Sequence, residues 1–312
     1  MKSYLVTGGC GFIGVNLIPR LIEQGGRVRV LDNLSLGKRE DVEQFGVDLH
    51  VGDIRDQAAF ARACKNIDAV VHLAAHTRVV ESLSDPQLNF EINAIGTLNV
   101  LQACRAAGIS KMIFASTGGA ILGEQEPPVH EGMVPRPISP YGASKLAGEA
   151  YCSAYSGAYG LKTVALRFSN VYGPYSYHKG SVVAQFFRNL LRGESIVIYG
   201  DGEQTRDFLY VADLVEAILL ADKIKPAGEV FQIASGRETS VRSLVGAMKA
   251  MLPDHKFDVR FEPARPGEIL RNYASIEKAR RILGFDPKTQ LNEGLRKTWQ
   301  WFISHDRDGT IK

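Results

Sequence analysis

The chain has 312 residues, which is long enough for one large or two modest domains. It carries 37 basic and 34 acidic side chains, a net charge of +3 that is too even to favour nucleic acid or a membrane surface as a partner. No run of 18 or more apolar residues occurs, so no membrane span is expected, and the start at Met1 leads too directly into a strand for a signal peptide. Four scattered cysteines without CxxC spacing predict reduced thiols in a cytoplasmic protein, with no metal site.

A short strand, a glycine turn and a helix are predicted to open the chain. A brief apolar run leads into Gly8, Gly11 and Gly14, and apolar residues then recur at helical spacing between Phe12 and Ile22. Glycines at three-residue intervals let the backbone turn sharply and approach a pyrophosphate, while the helix start offers unpaired N–H groups to the anion. This opening therefore predicts the phosphate cradle of a dinucleotide site.

Strand and helix patterns then alternate through the first half of the chain. Strands are predicted at 4–6, 28–31, 49–51, 69–73, 112–115 and 163–167, and helices at 57–64, 86–107 and 141–159. After about residue 168 the elements shorten, with helices at 181–192, 211–221, 241–251, 275–283 and 291–304 and one return to the sheet at 230–234. Such alternation predicts an α/β fold, a doubly wound parallel sheet followed by a smaller mixed α/β domain.

Three polar residues stand at the ends of predicted strands. Asp32 lies 18 residues after Gly14, close to the spacing at which an acid meets the adenosine ribose, and a carboxylate there favours NAD over NADP. Asp53 is interpreted either as the N-cap of the next helix or as a ligand of the adenine amino group. His72 is interpreted as a packed strand-end histidine rather than a catalytic residue.

Tyr141 and Lys145 form the second strong pattern. They lie four residues apart, so they share one face of a helix, and Pro140 suits the start of that helix. A neighbouring ammonium and a bound nicotinamide favour the phenolate, so we expect the pKa of Tyr141 to lie below its usual value near ~10. Tyr141 would then accept a proton from a substrate hydroxyl. Ser116-Thr117, at the end of the preceding strand, offers a hydroxyl to the same oxygen.

The chain resembles the extended short-chain dehydrogenase/reductase superfamily, and within it the nucleotide-sugar epimerases. The resemblance is carried by the glycine turn, by Ser116-Thr117, by the Tyr-x-x-x-Lys pattern and by the stretches 166–174, 198–213, 230–234 and 265–268. It implies a Rossmann-type NAD-binding domain over residues 1–167 with a return segment near 205–234. A substrate-binding domain would then comprise residues 168–204 and 235–312.

The resemblance also implies roles for individual residues. Thr117, Tyr141 and Lys145 would be catalytic. The NAD cofactor would contact Gly8, Gly11, Phe12, Ile13, Gly14, Asp32, Asn33, Asp53, Ile54, Leu73, Ala74, Ala75, Asn93, Tyr141, Lys145 and Phe168. A UDP-sugar would contact Thr77, Thr117, Tyr141, Asn170, Ser181, Val182, Ile196, Ile198, Arg206, Arg265 and Glu268, with the backbone of 196–198 and the two arginines on the nucleotide and its diphosphate.

The implied reaction is the 4-epimerisation of a UDP-hexose, UDP-glucose to UDP-galactose, by transient oxidation at C4 with tightly bound NAD. UDP-N-acetylglucosamine and UDP-glucuronate remain alternative substrates, and Tyr177-His178-Lys179 could meet the carboxylate of the latter. A 4,6-dehydratase would place an Asp-Glu pair where Gly118-Gly119 stands, and a non-catalytic sensor would not need the Tyr-x-x-x-Lys pattern. The loop after Thr117 and Glu268, where many relatives have Asp, depart from the common family pattern.

The family usually forms homodimers by packing the helices around 86–107 and 141–159 into a four-helix bundle. Small residues on these two helices would permit close approach, although the sequence leaves open that they face the sheet instead: Ala103, Ala106, Ala107, Ala143, Ala147, Ala150, Ala154 and Ala158.

Overall fold

A computed structural model describes residues 1–225, 227–255, 257–264 and 269–307 of the chain. The strands in this part are β1 (Ser3–Thr7), β2 (Arg27–Asp32), β3 (Asp48–Val51), β4 (Ala69–His72), β5 (Lys111–Thr117), β6 (Lys162–Phe168), β7 (Asn170–Tyr172), β8 (Ile196–Tyr199), β9 (Thr205–Arg206), β10 (Phe208–Tyr210), β11 (Glu229–Ile233), β12 (Thr239–Ser240) and β13 (Val259–Glu262).

The α-helices in the same part are α1 (Phe12–Glu23), α2 (Glu40–Glu43), α3 (Gln57–Ala63), α4 (Val79–Ser84), α5 (Pro86–Phe90), α6 (Gly96–Ala106), α7 (Gly118–Leu122), α8 (Pro140–Tyr159), α9 (Val182–Leu191), α10 (Val211–Lys223), α11 (Val241–Met251), α12 (Glu277–Leu283) and α13 (Leu291–Arg307). A π-helical turn, Glu91–Ile95, joins α5 to α6. Among the described residues, no helix is both long and apolar enough to cross a membrane.

Seven strands form one parallel sheet in the order β11-β6-β5-β4-β1-β2-β3. The chain order reverses between β1 and β4, so a crevice opens at the carboxyl ends of these strands, where open α/β sheets bind their ligands. The predicted doubly wound fold is confirmed. Thr7, His72 and Thr117 all end strands at this edge, next to the glycine turn.

Apolar side chains cover both faces of the sheet. On one face α1, α10 and α12 pack through residues such as Leu17, Ile218 and Leu283, and on the other α3, α6 and α8 pack through residues such as Phe60 and Leu101. Strands buried on both faces read as continuous apolar runs, which is why they were predictable from sequence. α12 lies within the stretch 235–312 that was predicted to belong to the substrate-binding domain. In the structure this helix packs on the core of the large sheet.

A separate core holds the second half of the chain together. It joins α9, α11 and α13 to the two-stranded sheet of β8 and β13, and its largest buried side chains include Phe187, Trp299 and Phe302. β7 pairs with β10 in parallel, which ties this core to the carboxyl edge of the large sheet.

Two local features differ from the predicted elements. The single helix predicted over 86–107 is divided by the π-helical turn, a form that occurs preferentially at functional sites. The segment after Thr117, which contains two glycines and was predicted as a loop, forms the short helix α7.

Candidate active site

The glycine turn forms a cradle that fits a pyrophosphate. Gly8 has φ +67°, and a Cβ there would lie 2.7 Å from the Ala74 backbone nitrogen. A Cβ on Gly14 would lie 2.3 Å from the carbonyl oxygen of Gly9, so only glycine allows α1 to start this close to the turn. Gly11 N–H donates to the Gly8 carbonyl at 3.1 Å and precedes α1 as its N-cap without a capping side chain. The first N–H groups of α1, at Phe12 and Ile13, remain for an anion.

Asp32 ends β2 beside this turn, as predicted for the residue that meets the adenosine ribose. Its carboxylate accepts hydrogen bonds from the backbone of Cys10 at 2.9 Å and of Leu34 at 2.8 Å. Burial raises the pKa of Asp32, and these two hydrogen bonds oppose that shift. The backbone therefore orients the carboxylate that would accept the ribose hydroxyls.

Asp53 belongs to a polar cluster at the end of β3. Asn33 Nδ2 donates to it at 3.0 Å, and the Arg55 guanidinium donates to both of its oxygens at 2.9 Å. These contacts, chiefly with Arg55, lower the pKa of Asp53 to about 2. The N-cap of α3 is Asp56, whose carboxylate accepts from two backbone N–H groups, so the interpretation of Asp53 as that cap is wrong. Ile54, next in the chain, is buried in the core.

His72 is a packed histidine, as interpreted from the sequence. Its Nδ1 lies 2.7 Å from Thr7 Oγ1, and its Nε2 lies 3.1 Å from Thr97 Oγ1. Burial lowers the pKa of His72 to about 3, so the ring stays neutral. Its neutral ring and two hydrogen bonds make it a structural link between β1, β4 and α6.

The segment after β4 carries the small residues predicted to pass close to a flat ligand. Ala74 N–H donates to Thr7 Oγ1 at 3.2 Å, Leu73 and Ala75 are half-buried, and Thr77 is exposed. Asn93, on the π-helical turn, fixes this segment: it accepts from His76 N–H at 2.8 Å and donates to the His76 carbonyl at 2.9 Å.

Asn93 also reaches the helix that carries the catalytic pattern. Its Nδ2 donates to Ser144 Oγ at 3.1 Å, and Ser144 lies between Tyr141 and Lys145 on α8. The predicted role of Asn93 is contact with the cofactor. Its amide in the structure instead links the 73–77 segment to the catalytic helix, a connection that the sequence alone does not reveal.

Tyr141 and Lys145 lie in the first two turns of α8, which begins at Pro140 and is capped by the Ser139 hydroxyl. Tyr141 shares a side-chain hydrogen bond with Thr117, at the end of β5. Lys145 Nζ donates to the Ala115 carbonyl at 2.9 Å. The three predicted catalytic side chains thus meet at the carboxyl edge of the sheet.

Burial shifts the acidity of both Tyr141 and Lys145. Burial raises the pKa of Tyr141 to about 12, and the hydrogen bond from Thr117 only partly offsets this increase. Burial also lowers the pKa of Lys145 to about 8. Desolvation thus disfavours the charged forms of both groups, and the lowering of the Tyr141 pKa by Lys145 together with a bound nicotinamide remains a prediction.

A buried ion pair explains why Thr117, and not Ser116, faces Tyr141. Ser116 Oγ donates to Glu149 at 2.5 Å, and Arg167 donates to both oxygens of Glu149 at 2.9 and 2.7 Å. The Ser116 hydroxyl is therefore engaged by a buried carboxylate of α8. This arrangement favours Thr117 as the hydroxyl available to a substrate.

The glycines after Thr117 make room for two amide side chains. A Cβ on Gly118 would lie 2.5 Å from Gln232 Oε1, and a Cβ on Gly119 would lie 2.4 Å from Asn272 Nδ2. Side chains at these two positions would displace both amides. Gly118 and Gly119, which depart from the family pattern, thus leave the space that the amides of Gln232 and Asn272 occupy.

Phe168, a predicted contact of the cofactor, ends β6. Of the predicted substrate residues, Asn170 begins β7, and its N–H donates to the Asp207 carbonyl at 2.9 Å. Ser181 is the N-cap residue of α9, yet its hydroxyl makes no capping hydrogen bond and is buried without a partner; Val182 begins that helix. A buried hydroxyl without a partner beside the N–H groups of a helix start suits an anionic or hydroxyl-rich ligand.

The backbone of 196–198, for which the family resemblance implies substrate contact, lies on the strand β8. Ile196 N–H donates to the Asp258 carbonyl, and the side chains of Ile196 and Ile198 lie in the core. Backbone groups alternate in direction along a strand, so those of Ile196 and Ile198 face β13 and those of Val197 and Tyr199 face away from it.

Of the two predicted phosphate-binding arginines, Arg206 lies on β9. Its guanidinium donates to the carbonyls of Thr205 at 2.7 Å and Ile269 at 2.8 Å. The following residue, Asp207, is buried and accepts from Ser235 and Gly236, which fixes the position of β9. Arg265 and Glu268, the remaining predicted substrate ligands, lie outside the described residues.

Comparisons with known proteins agree with this geometry. The crystal structure of Thermotoga maritima UDP-glucose 4-epimerase with UDP-glucose is 40% identical, with a TM-score of 0.93 over 97% of this chain and 99% of that one. The Thermus thermophilus UDP-glucose 4-epimerase complex with NAD is 40% identical, with a TM-score of 0.90 over the same shares. UDP-N-acetylglucosamine 4-epimerase from Methanobrevibacter ruminantium, in complex with UDP-N-acetylmuramic acid, is 35% identical, with a TM-score of 0.92 over 97% and 99%.

The fold, the glycine turn and the Tyr-x-x-x-Lys pair define a dinucleotide-dependent enzyme. Residues 4–234 match the model of the NAD dependent epimerase/dehydratase family. The chain belongs to that family, and its cofactor is NAD. The family resemblance inferred from the sequence is confirmed.

Proposed function

We propose that this protein is a UDP-hexose 4-epimerase that interconverts UDP-glucose and UDP-galactose. The observation that carries the proposal is the meeting of Thr117, Tyr141 and Lys145 beside the glycine turn. A proton acceptor, a hydroxyl partner and an ammonium at one point are the groups needed to oxidise a secondary alcohol reversibly. The likeness to UDP-glucose 4-epimerases from two bacteria supports the choice of substrate.

In the proposed mechanism, Tyr141 removes the proton of the sugar 4-hydroxyl and later returns a proton to the 4-keto oxygen. Thr117 hydrogen-bonds the same oxygen and Tyr141. NAD, held by the glycine turn and Asp32, would supply the hydride acceptor and donor that oxidation and reduction at sugar C4 require. Lys145 would hold the nicotinamide ribose, and its ammonium would favour the Tyr141 phenolate once the coenzyme's positive charge adds to it. Burial raises the pKa of Tyr141, which by itself opposes ionisation of the phenol.

Epimerisation also requires that the sugar turn while its nucleotide stays bound. Asn170, Ser181, Arg206 and Arg265 would hold the diphosphate and nucleotide, whereas the hexose would meet mainly Thr117 and Tyr141. Hydride can then return to the opposite face of C4. Most of the binding energy would thus come from contacts with the nucleotide and diphosphate, the part of the substrate that does not react.

Other nucleotide sugars are weaker candidates for this site. The Gly118-Gly119 pair leaves no carboxylate where a 4,6-dehydratase would need an acid and a base. Lys179, which could meet the carboxylate of UDP-glucuronate, lies instead 5.2 Å from the ring of Phe12, at the start of α1. The likeness to a UDP-N-acetylglucosamine 4-epimerase keeps that sugar as the second candidate.

A product assay separates these substrates. We expect purified protein, without added NAD, to convert UDP-galactose to UDP-glucose, and to act more slowly on UDP-N-acetylgalactosamine and UDP-galacturonate, with chromatography resolving the products. Faster turnover of one of the latter two would replace the proposed substrate. A 4-keto-6-deoxy product would indicate a dehydratase, and no turnover even after NAD addition would indicate a sensor.

We also propose that the protein works as a cytoplasmic homodimer formed through α4, α5 and α8. Apolar side chains on these neighbouring helices and the π-helical turn are exposed: Val80, Leu83, Phe90, Ile95 and Tyr151. On α8, Ala143, Ala150, Ala154 and Ala158 are exposed at helical spacing, so they do not face the sheet. Such a surface suits close helix packing between two copies. The four cysteines are free and buried, in keeping with a reducing compartment.

Charge on this surface should disrupt the dimer. Leu83→Glu and Ala150→Glu are each expected to raise the dimer dissociation constant roughly 30-fold or more, because a carboxylate would be buried between the copies. Light scattering after size exclusion would show one chain mass in place of two at micromolar protein. Phe261→Glu, at an exposed apolar side chain on β13, is the matched control and should leave the mass unchanged. A monomeric wild-type protein would refute the proposed dimer.

A further inference from the structure

The segment 173–180, which joins β7 to α9, rests on the first turns of α1. Asn16 Nδ2 donates to the Pro174 carbonyl at 3.0 Å. Lys179 Nζ lies 5.2 Å from the centre of the Phe12 ring, and Phe12 is the first residue of α1. The segment thus brings an ammonium beside the helix start that forms the phosphate cradle.

The ammonium of Lys179, a half-buried residue, has few partners. It donates to the Val171 carbonyl at 2.5 Å, and no carboxylate in the described parts of the chain forms an ion pair with it. Burial alone lowers its pKa to about 8. An ammonium carries three donors, and burying it without an anion is unfavourable. The surroundings of Lys179 therefore suit a site that receives an anion from a ligand.

The backbone of segment 173–180 is fixed from the other side. The Arg188 guanidinium, on α9, donates to the Lys179 carbonyl at 3.0 Å and to the carbonyl of Tyr177. Burial, Lys38 and Arg188 lower the pKa of neighbouring His178, and Asp41 opposes this shift. A cation held in place before its anion arrives loses little entropy on binding.

We propose that Lys179 binds the pyrophosphate of the NAD coenzyme. Its ammonium, on segment 173–180, would bind the phosphates together with the N–H groups at the start of α1. This inference rests on the coenzyme-dependent part of the proposed function. The coenzyme's pyrophosphate is favoured over the diphosphate of the substrate because Lys179 contacts Phe12, at the start of α1. Segment 173–180 would then help to retain the coenzyme between turnovers.

Lys179→Met removes the charge and keeps the length of the side chain. We expect the variant to release NAD at least about tenfold faster than wild type, because a charge-assisted hydrogen bond to phosphate contributes that much or more. The measurements are the NAD content per chain after purification and the rate at which bound NAD exchanges with labelled NAD. Lys179→Arg, which keeps the charge, should retain NAD more nearly like wild type.

Two controls make the test specific. Lys65→Met, at an exposed lysine far from the crevice in sequence and fold, should leave NAD exchange unchanged. Binding of UDP to NAD-loaded protein, measured by calorimetry, should change less than twofold in Lys179→Met. Unchanged NAD exchange, equal loss with Met and Arg, or a loss confined to UDP binding would overturn the inference. A chain that retains NAD through Lys179 but epimerises no UDP-hexose would refute the proposed function and leave this inference standing.

Discussion

Tyr141→Phe is expected to reduce kcat with UDP-galactose by about 10²–10⁴-fold, because it removes the group that takes and returns the 4-hydroxyl proton. The ring packs as before, and the lost hydroxyl has one side-chain partner, Thr117. The variant should therefore fold normally and purify with as much NAD as wild type. Steady-state kinetics measures the loss of kcat, and the NAD content of the purified protein tests whether the coenzyme is retained.

The matched control for this change is Tyr159→Phe, at the exposed end of the same helix. It removes the same atom far from the crevice and should leave kcat unchanged. Wild-type turnover in Tyr141→Phe would exclude Tyr141 as the proton acceptor. A loss of NAD together with activity would instead assign Tyr141 to coenzyme binding.

Glu149→Gln is expected to lower the free energy of unfolding by about 3–5 kcal/mol, because it leaves the Arg167 guanidinium buried without its charge partner. Glu149 and Arg167 side chains are each 5% exposed, and their bidentate contact measures 2.9 and 2.7 Å. Denaturant unfolding followed by circular dichroism measures this change in the free energy of unfolding.

An exposed ion pair supplies the comparison for this prediction. Glu43, whose side chain is 52% exposed, contacts Arg39 at 3.2 Å, and Glu43→Gln should cost only about 0–1 kcal/mol. Replacing both partners in Glu149→Gln/Arg167→Met should recover part of the lost stability, since no unpaired charge then remains buried. Equal stability of Glu149→Gln and Glu43→Gln would show that the buried pair contributes little.

Some wrong or incomplete sequence predictions share one physical origin. The pKa of Tyr141 was expected to fall beside Lys145 and a bound nicotinamide, whereas burial by residues distant in sequence raises it in the structure. The backbone of 196–198 was named through the family resemblance, and only the pairing with β13 shows that Ile196 and Ile198 face that strand. Neither burial nor strand partners can be read from a local pattern.

The sequence by itself determined the family, the parallel sheet, the glycine turn and the Tyr-x-x-x-Lys helix. Each of these depends on short-range geometry: the φ of Gly8, the spacing of Tyr141 and Lys145, and apolar runs that must be buried. Tertiary structure alone decided that Ser116 hydrogen-bonds to Glu149 while Thr117 hydrogen-bonds to Tyr141, and that Lys179 lies beside Phe12. Those contacts join residues far apart in the chain, so they exist only after the strands and helices have packed.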